Sequence, residues 1–596
     1  MSTVPDRSEL DEEYKWDLES MYADDEAWED AYERVEDRLD DLRAYEGRVT
    51  ESADTLLELL ELREELMREV SNVSAYARMR SDEDTANQQY QALSARAQSL
   101  GSQASSAASF VEPELQQSTR SALHAFVDEE PELERYEHYF DDVLRMKPHT
   151  RSPEVEELLA DLSEVTGAGG DVYNMLTNAD MTFPAIETPA GEEKRITLSN
   201  FTVIQKHGDR DYRQRAYEAF YDEWADYRNA IGTAFKNSVR KDVKMARARN
   251  YDTAREASLD GPNVPTEVYD NLVEAVHEHL SVLHRHADLK RDRLGVDELK
   301  MWDLYAPLTD SKAPDIEYEQ AKAWVVEAVE PLGEAYQSRM AEGLESRWVD
   351  VYETENKRSG AYSSGTYDSQ PFILMNYQDD VTSLYTLAHE LGHSMHSELT
   401  SEHQPYVYSG YEIFTAEVAS TVNEALLTNH LLETVEDETL RRHVLDEYLE
   451  RFRSTLFRQT MFADFEQQVH ELSEAGEAIT PDVCDEVYGD LKAEFYAPAD
   501  VDERIAREWM RIPHFYYSFY VYQYATGISA ANAIVQNIEA EGESAAEAYL
   551  EFLRSGSRAY PLELLRGAGV DMASSAPVEA AIDAYDDLLG EFEQLS

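Results

Sequence analysis

The sequence predicts a mainly α-helical protein with a small β-sheet near the middle of the chain. Three observations carry that prediction: apolar residues recur at three- and four-residue spacing over long stretches, strand-like alternation is scarce, and no fixed-period repeat stands out. DTLLELLELREELMREVSNVSAYARM (54–79) sets Leu and Val on one helical face with charges between them. Comparable patterns occupy 26–47, 153–165, 211–247, 266–290, 318–343 and 437–474. The strand candidates are QPFILMNY (370–377) and MTFPAI (181–186). Loops are expected at TPAGEEK (188–194), DGPNVP (260–265) and ENKRSGAYSSG (355–365), where Gly, Pro and polar residues cluster. GAGG (167–170) has no strand before it and no GK[ST] after it, so it reads as a turn between helices rather than a phosphate loop. At 596 residues the chain exceeds what one hydrophobic core fills. A boundary near residue 200 divides it into a helical N-terminal domain (1–200) and a larger C-terminal domain (201–596).

Hydrophobic residues make up 42% of the chain, within the globular range, and no apolar run approaches a membrane span. The opening MSTVPDRSELDEEYKWDL lacks the basic-then-apolar pattern of a secretory signal, so the glycosylation matches at Asn72 and Asn200 carry no meaning. The single cysteine, Cys484, excludes an internal disulfide, fits a reducing cytoplasm and reads as a small buried apolar residue. Charge is the dominant compositional feature: 122 Asp and Glu against 53 Lys and Arg, net −69. Such a surface repels phosphate backbones, which removes nucleic acid from the candidate partners. The acids are spread along the whole chain, and Arg far outnumbers Lys. That pattern reads as adaptation to a salt-rich cytoplasm, as in extreme halophiles, where salt screens self-repulsion to within a few ångströms.

Two histidine-rich stretches compete for a metal-binding role. VHEHLSVLHRHADLK carries His277, His279, His284 and His286, but no two stand three or four apart, the spacing that shares a helical face. These read as surface or packing histidines. In TLAHELGHSMHS, His389 and His393 are one turn apart and face one ion together, with Glu390 beside them in reach of an attacking water. DDVTSLYTLA ahead of the motif reads as a helix start followed by an apolar face, which places the motif inside a helix. A catalytic zinc takes three protein ligands and keeps one position open. His396 continues the stripe of His389 and His393, and three near-parallel side chains do not converge tetrahedrally. His396 therefore reads as a group behind the ligands or facing substrate. The other candidates lie on the next helix, GYEIFTAEVASTVNEALLTNHLLE. Glu412 stands in its first turn, where the helix dipole favours a carboxylate. Glu417 sits among Thr415, Ala416, Ala419, Ser420 and Thr421, small residues that admit a close neighbour. Glu424 stands two turns beyond, placed to hydrogen-bond a ligand histidine. Packing favours Glu417 as the third ligand; the alternative for all three is a solvated acidic face.

KRSGAYSSGTYDSQPFILMNYQDDVTSLYTLAHELGHSMHS followed by YEIFTAEVASTVNEALL resembles the oligoendopeptidase F group of the thimet-oligopeptidase family of zinc metallopeptidases. Similar blocks at EYKWDLESMY, LTNADMTF, HFYYSFYVYQYATG and LRSGSRAYPLELLRGAGVDM extend the resemblance over essentially the whole chain. It implies one zinc ion per chain on His389, His393 and Glu417, with Glu390 as general base. It also implies a zincin-type catalytic domain in a helical ellipsoid with a deep channel, which admits oligopeptides and cleaves them internally in the cytoplasm. Relatives set a His and several Tyr from a C-terminal loop around the substrate carbonyl. Here His514, Tyr517, Tyr520 and Tyr524 are the candidates, with Tyr516 and Tyr522 in a rival register.

Pro371 to Tyr377 reads as an edge strand on which an extended peptide can pair, and Gly360, Tyr362 and Gly365 as residues shaping the cleft floor. The expected partners are oligopeptides, with neither nucleic acid nor membrane, and the expected state is a monomer or small homo-oligomer. Two rival readings use the same residues. A carboxypeptidase or dipeptidyl carboxypeptidase would grip a terminal carboxylate with Arg511 or Lys357. An inactive peptide-binding protein is disfavoured by the intact Glu390 and by the lack of companions for Cys484, since structural zinc is more often closed by cysteines. The charge itself predicts a salt-dependent fold. The thermal unfolding midpoint should climb from dilute buffer to about 1 M KCl, where the Debye length is about 3 Å. A midpoint indifferent to salt, followed by circular dichroism, would reject the adaptation.

Overall fold

Helical periodicity becomes helix almost throughout the computed structural model, which describes residues 4–309 and 313–595. The 54–79 pattern lies within Ala53–Glu83, begun by Ser52, whose hydroxyl accepts the Thr55 N–H at 3.1 Å. The long 211–247 pattern forms two helices, Arg210–Asp226 and Arg228–Ala248, and 266–290 likewise divides into Thr266–Glu278 and Leu280–Leu294. The 318–343 pattern breaks between Tyr318–Ala328 and Glu334–Glu345, where Pro331 lacks an N–H and Gly333 turns at φ +92°. GAGG marks a helix junction, though only Gly167 lies outside helix, since Ala168–Met175 begins at once. Cys484 is buried, and burial pushes its thiol up to about 12, as suits an inert packing group.

Five short strands complete the secondary structure among the described residues. β1 (Ala185–Glu187) and β2 (Glu193–Arg195) form an exposed antiparallel hairpin around the 188–192 turn, so only the end of MTFPAI is strand. β3 (Val349–Asp350), β4 (Tyr362–Ser364) and β5 (Phe372–Leu374) make a second sheet in the order β3-β5-β4, with β3 parallel and β4 antiparallel to β5. This corrects the reading of 371–377 as an edge strand. β5 is central and its three residues are 0% exposed. The wholly apolar run fits burial on both faces, and its partner β3 is too short to show alternation in the sequence.

The open edge belongs to β4. Ile373 and Met375 send their N–H groups to Trp348 O and Asp350 O on the β3 side, at 2.7 and 2.9 Å. Phe372 and Leu374 therefore face β4 and pair with Ser364 and Tyr362. Alternation then turns the N–H and C=O of Ser363 outward.

By contacts the backbone divides into two units, neither continuous in sequence. The first comprises Met1–Pro148, Pro314–Thr434 and Ile534–Gly569; the second comprises His149–Ala313, Val435–Ala533 and Val570–Ser596. The expected cut near residue 200 falls inside the second unit, so the blocks 1–200 and 201–596 are not these compact units. Composition marks local breaks, whereas contacts between distant segments leave no compositional trace. In the first unit, Trp28, Leu39, Leu56, Leu59, Val73 and Leu100 from the helices Asp25–Arg43, Ala53–Glu83 and Gln88–Ala108 build a core that takes in Phe372 and Leu374 of β5.

The second unit buries a carboxylate among cations. Glu508 is 1% exposed; one oxygen accepts from Lys492 Nζ at 2.6 Å and Tyr488 OH at 2.8 Å, the other from Arg458 and Arg511 at 2.8 and 3.0 Å. Burial works to raise its pKa, but Lys492, Arg458 and Arg511 outweigh burial and hold it well below the usual carboxylate range. Glu508→Gln strips three cations of their shared partner. It should lower stability by about 3–5 kcal/mol in denaturant titrations at constant KCl. A change under about 1 kcal/mol would mean that water compensates these cations instead.

Candidate metal centre

The helix Val381–His403 starts where the Asp380 carboxylate accepts the Ser383 N–H at 2.7 Å. His389 and His393 stand one turn apart on it, and their Nε2 atoms approach to 3.2 Å. The helix Ile413–Thr434 lies alongside and brings Glu417 Oε2 to 3.7 Å from His389 Nε2. One donor atom from each of His389, His393 and Glu417 lies within 4.8 Å of the others, the one such His/Cys/Asp/Glu group among the described residues. Gly392 allows this approach: a Cβ there would stand 2.6 Å from Ala419 O and from Ser420 Cα. Sequence reasoning weighed the small residues at 415–421 but not the glycine inside HELGH, the other half of the same contact.

His389 Nδ1 donates to Glu424 Oε1 at 2.7 Å, which leaves Nε2 as the lone-pair nitrogen turned toward His393. A backbone hydrogen bond with Ala416 holds His393. A proton or a metal cation shared between the two Nε2 atoms accounts for their 3.2 Å approach. Ligands at the usual zinc–nitrogen length and a tetrahedral angle lie about 3.3 Å apart. Burial works to lower His389, but the Glu424 hydrogen bond and the charges of Glu424, Glu390 and Glu417 lift it to about 9. Burial, with His389 and His396 nearby, holds His393 well below the histidine range. The pair thus favours a single positive charge. Burial also raises Glu390 and Glu417, acids that lack a full counter-charge. Two imidazoles and a carboxylate short of positive charge fit a divalent cation, and His2Glu is a catalytic zinc donor set.

Glu390 is 7% exposed, and its carboxylate accepts the outward N–H of Ser363. The hydroxyls of Ser363 and Ser394 meet at 2.9 Å, and Ser394 Oγ donates to the Glu390 carbonyl at 2.9 Å. The open edge of β4 is therefore tied to the carboxylate beside the two histidines.

The remaining candidates fall into separate places. His396 is 1% exposed and stacks on Tyr411, with ring centroids 3.7 Å apart, so it is a packing group in the interior. Glu412 precedes the first turn of its helix, where its carbonyl accepts the Thr415 and Ala416 N–H groups. Gly360 turns at φ +89°, and Tyr362 OH donates to Asp82 at 2.7 Å, away from the histidines. Gly365 packs against Gln370 and Pro371.

In the second unit, His514 contacts the rings of Tyr517, Tyr520 and Tyr524 at 6.1, 5.8 and 6.0 Å. Ser518 and Phe519, at φ +47° and +53°, make the turn within this group, and Glu466 accepts the Phe519 N–H at 2.6 Å. Tyr516 stacks on Tyr173 and Tyr522 packs against Tyr269, so the rival register turns into the interior. His277, His279, His284 and His286 bond separately to Asp464, Ala275 O, Glu494 O and Tyr585. Both cations considered for a terminal carboxylate have internal partners: Arg511 pairs with Glu508, and Lys357, 0% exposed at its side chain, pairs with Asp350 at 2.6 Å.

The chain is similar to known proteins over nearly its whole length. A model of peptidase family M3 matches residues 203–584, and one described as Oligopeptidase F matches 114–183. Oligopeptidase PepF of Bacillus subtilis is 44% identical over 593 residues, covering 99% of this chain and 88% of its own length. Among solved structures, oligoendopeptidase-F from Enterococcus faecium is 35% identical with a TM-score of 0.76, covering 96% of this chain and 99% of that one. A Chlamydophila abortus chain is 31% identical with a TM-score of 0.90, covering 100% of both.

The helix contact generates a direct prediction. Gly392→Ala drives a methyl group into backbone. It should lower both the metal retained per chain and the unfolding midpoint, by about 1–3 kcal/mol in stability. Unchanged metal content and an unchanged melt would show that the two helices have room to part.

Proposed function

This chain belongs to peptidase family M3, and from that premise we propose that it is a zinc-dependent endopeptidase hydrolysing internal bonds of oligopeptides. The convergence of His389, His393 and Glu417 donor atoms beside the buried Glu390 carboxylate supports this reading. Those three residues would hold one zinc ion per chain, which supplies Lewis acidity toward water and the peptide carbonyl.

Glu390 takes the proton of the attacking water and returns it to the leaving nitrogen. Glu424 keeps His389 in the tautomer whose Nε2 is available to a metal. The outward C=O of Ser363 pairs with the backbone of an extended peptide, which asks little of side-chain identity. This assigns to β4 the pairing role expected of 371–377. An oxyanion-stabilising role for His514, Tyr517, Tyr520 and Tyr524 stands only as what the family resemblance implies.

Endopeptidase action is favoured over carboxypeptidase action because Lys357 and Arg511 already have internal partners. A salt-rich cytoplasm as the working compartment belongs to the same reading and rests on the net charge of −69 and the single cysteine.

An end-blocked, internally quenched peptide in concentrated KCl tests the assignment. Wild-type cleavage should vanish with a zinc chelator and return on adding zinc. Glu390→Gln should keep its zinc by elemental analysis and lose about 10²–10⁴-fold in kcat. Chelator-resistant cleavage would remove the metal from the reaction, and near-normal turnover by Glu390→Gln would remove that residue as the base.

A further inference from the structure

A cavity of about 420 Å³ lies in the first unit, bordered by the start of the His389 helix and by the chain entering β4. Thr386, three residues ahead of His389 and on the same helical face, lines one side. Ala361, two residues ahead of Ser363, lines another. At about 3.3 Å per residue, Ala361 stands roughly 7 Å along the strand from the N–H that Glu390 accepts. A peptide paired on this edge would carry a residue over the cavity about two positions from the bond being cut.

The polar groups around the cavity have mostly spent their donors. The Lys357 ammonium donates to Asp350 O and Tyr352 O at 3.1 and 2.7 Å and is ion-paired with the Asp350 carboxylate at 2.6 Å. Asn376 Nδ2 gives both of its N–H groups to Arg358 O and Gly360 O, at 3.0 and 2.8 Å. Gln378 Nε2 donates to Asn376 O at 3.3 Å, and the Thr386 hydroxyl to Thr382 O at 3.0 Å. Acceptors remain: the Asn376 and Gln378 amide oxygens and the exposed Glu353 carboxylate, which has no ion pair among the described residues. Such a lining suits a donor-rich cation and repels an anion.

We infer that this cavity is the subsite for a lysine or arginine side chain of the peptide, with Glu353 as its counter-charge. The inference rests on the endopeptidase reading and adds a specificity to it. The net charge of −69 does not by itself account for such a preference in salt. At about 1 M KCl charges act only over about 3 Å, so a carboxylate must be in contact to select a cation.

The test uses the full-length, zinc-loaded enzyme in about 1 M KCl, with end-blocked quenched peptides. Lysine or its neutral analogue norleucine is walked through the positions flanking the cleaved bond. One position near two residues from that bond should favour lysine about tenfold in kcat/KM. Glu353→Gln should abolish that preference while cleaving the norleucine peptide normally. Glu355→Gln, at an exposed carboxylate outside the cavity lining, should keep it. Equal loss in the two variants would show a general charge effect and overturn the subsite. Efficient cleavage with no lysine preference at any position would overturn the subsite and leave the endopeptidase reading standing. Cleavage of no peptide at all would overturn both.

Discussion

Two helices, Val381–His403 and Ile413–Thr434, run so close that a single methyl group at Gly392 would strike the backbone at Ala419 and Ser420. The chemistry of the molecule depends on that proximity. A glutamate side chain is short, and only a near neighbour lets Glu417 share a point in space with His389 and His393. The same contact puts Glu424, two helical turns further on, within hydrogen-bond reach of His389 Nδ1. Close packing here is a condition for a metal site, not merely a source of stability.

Burial raises the acids of both units, and nearby positive charge decides the outcome in each. Glu390 and Glu417 are raised by burial because nearby positive charge falls short. Glu508 is buried more completely and yet held far down, because three cations share it. The first arrangement lacks a charge that a bound ion would provide. The second is complete in itself and serves the fold. Strongly perturbed acids alone would not separate these cases; the inventory of partners does.

The sheet joins packing to chemistry. β5 anchors in the same core as the N-terminal helices, through Phe372 and Leu374. Its rigidity passes to β4 through the ladder, and β4 in turn meets Glu390 at the Ser363 N–H. The Glu390 carboxylate and the β4 edge are thereby held on one scaffold. The acceptor-lined cavity at Ala361 and Thr386 lies beside the same edge.

The sequence by itself determined the helical class and the placement of HELGH inside a helix. Each rests on local spacing, which the chain carries whatever its tertiary fold. It also separated His389 and His393 from the histidines at 277–286, because helical geometry is periodic and local. Tertiary structure alone decided that β5 is central and β4 is the edge, since strand order depends on a two-residue partner with no pattern of its own. It alone decided the interleaved units, the burial of His396 against Tyr411 and the commitment of Lys357 and Arg511 to internal acids. For the strand order, the units and His396 the deciding neighbour comes from another element. For Arg511 and Lys357 the acid is only three or seven residues away, and its burial is what spacing does not show.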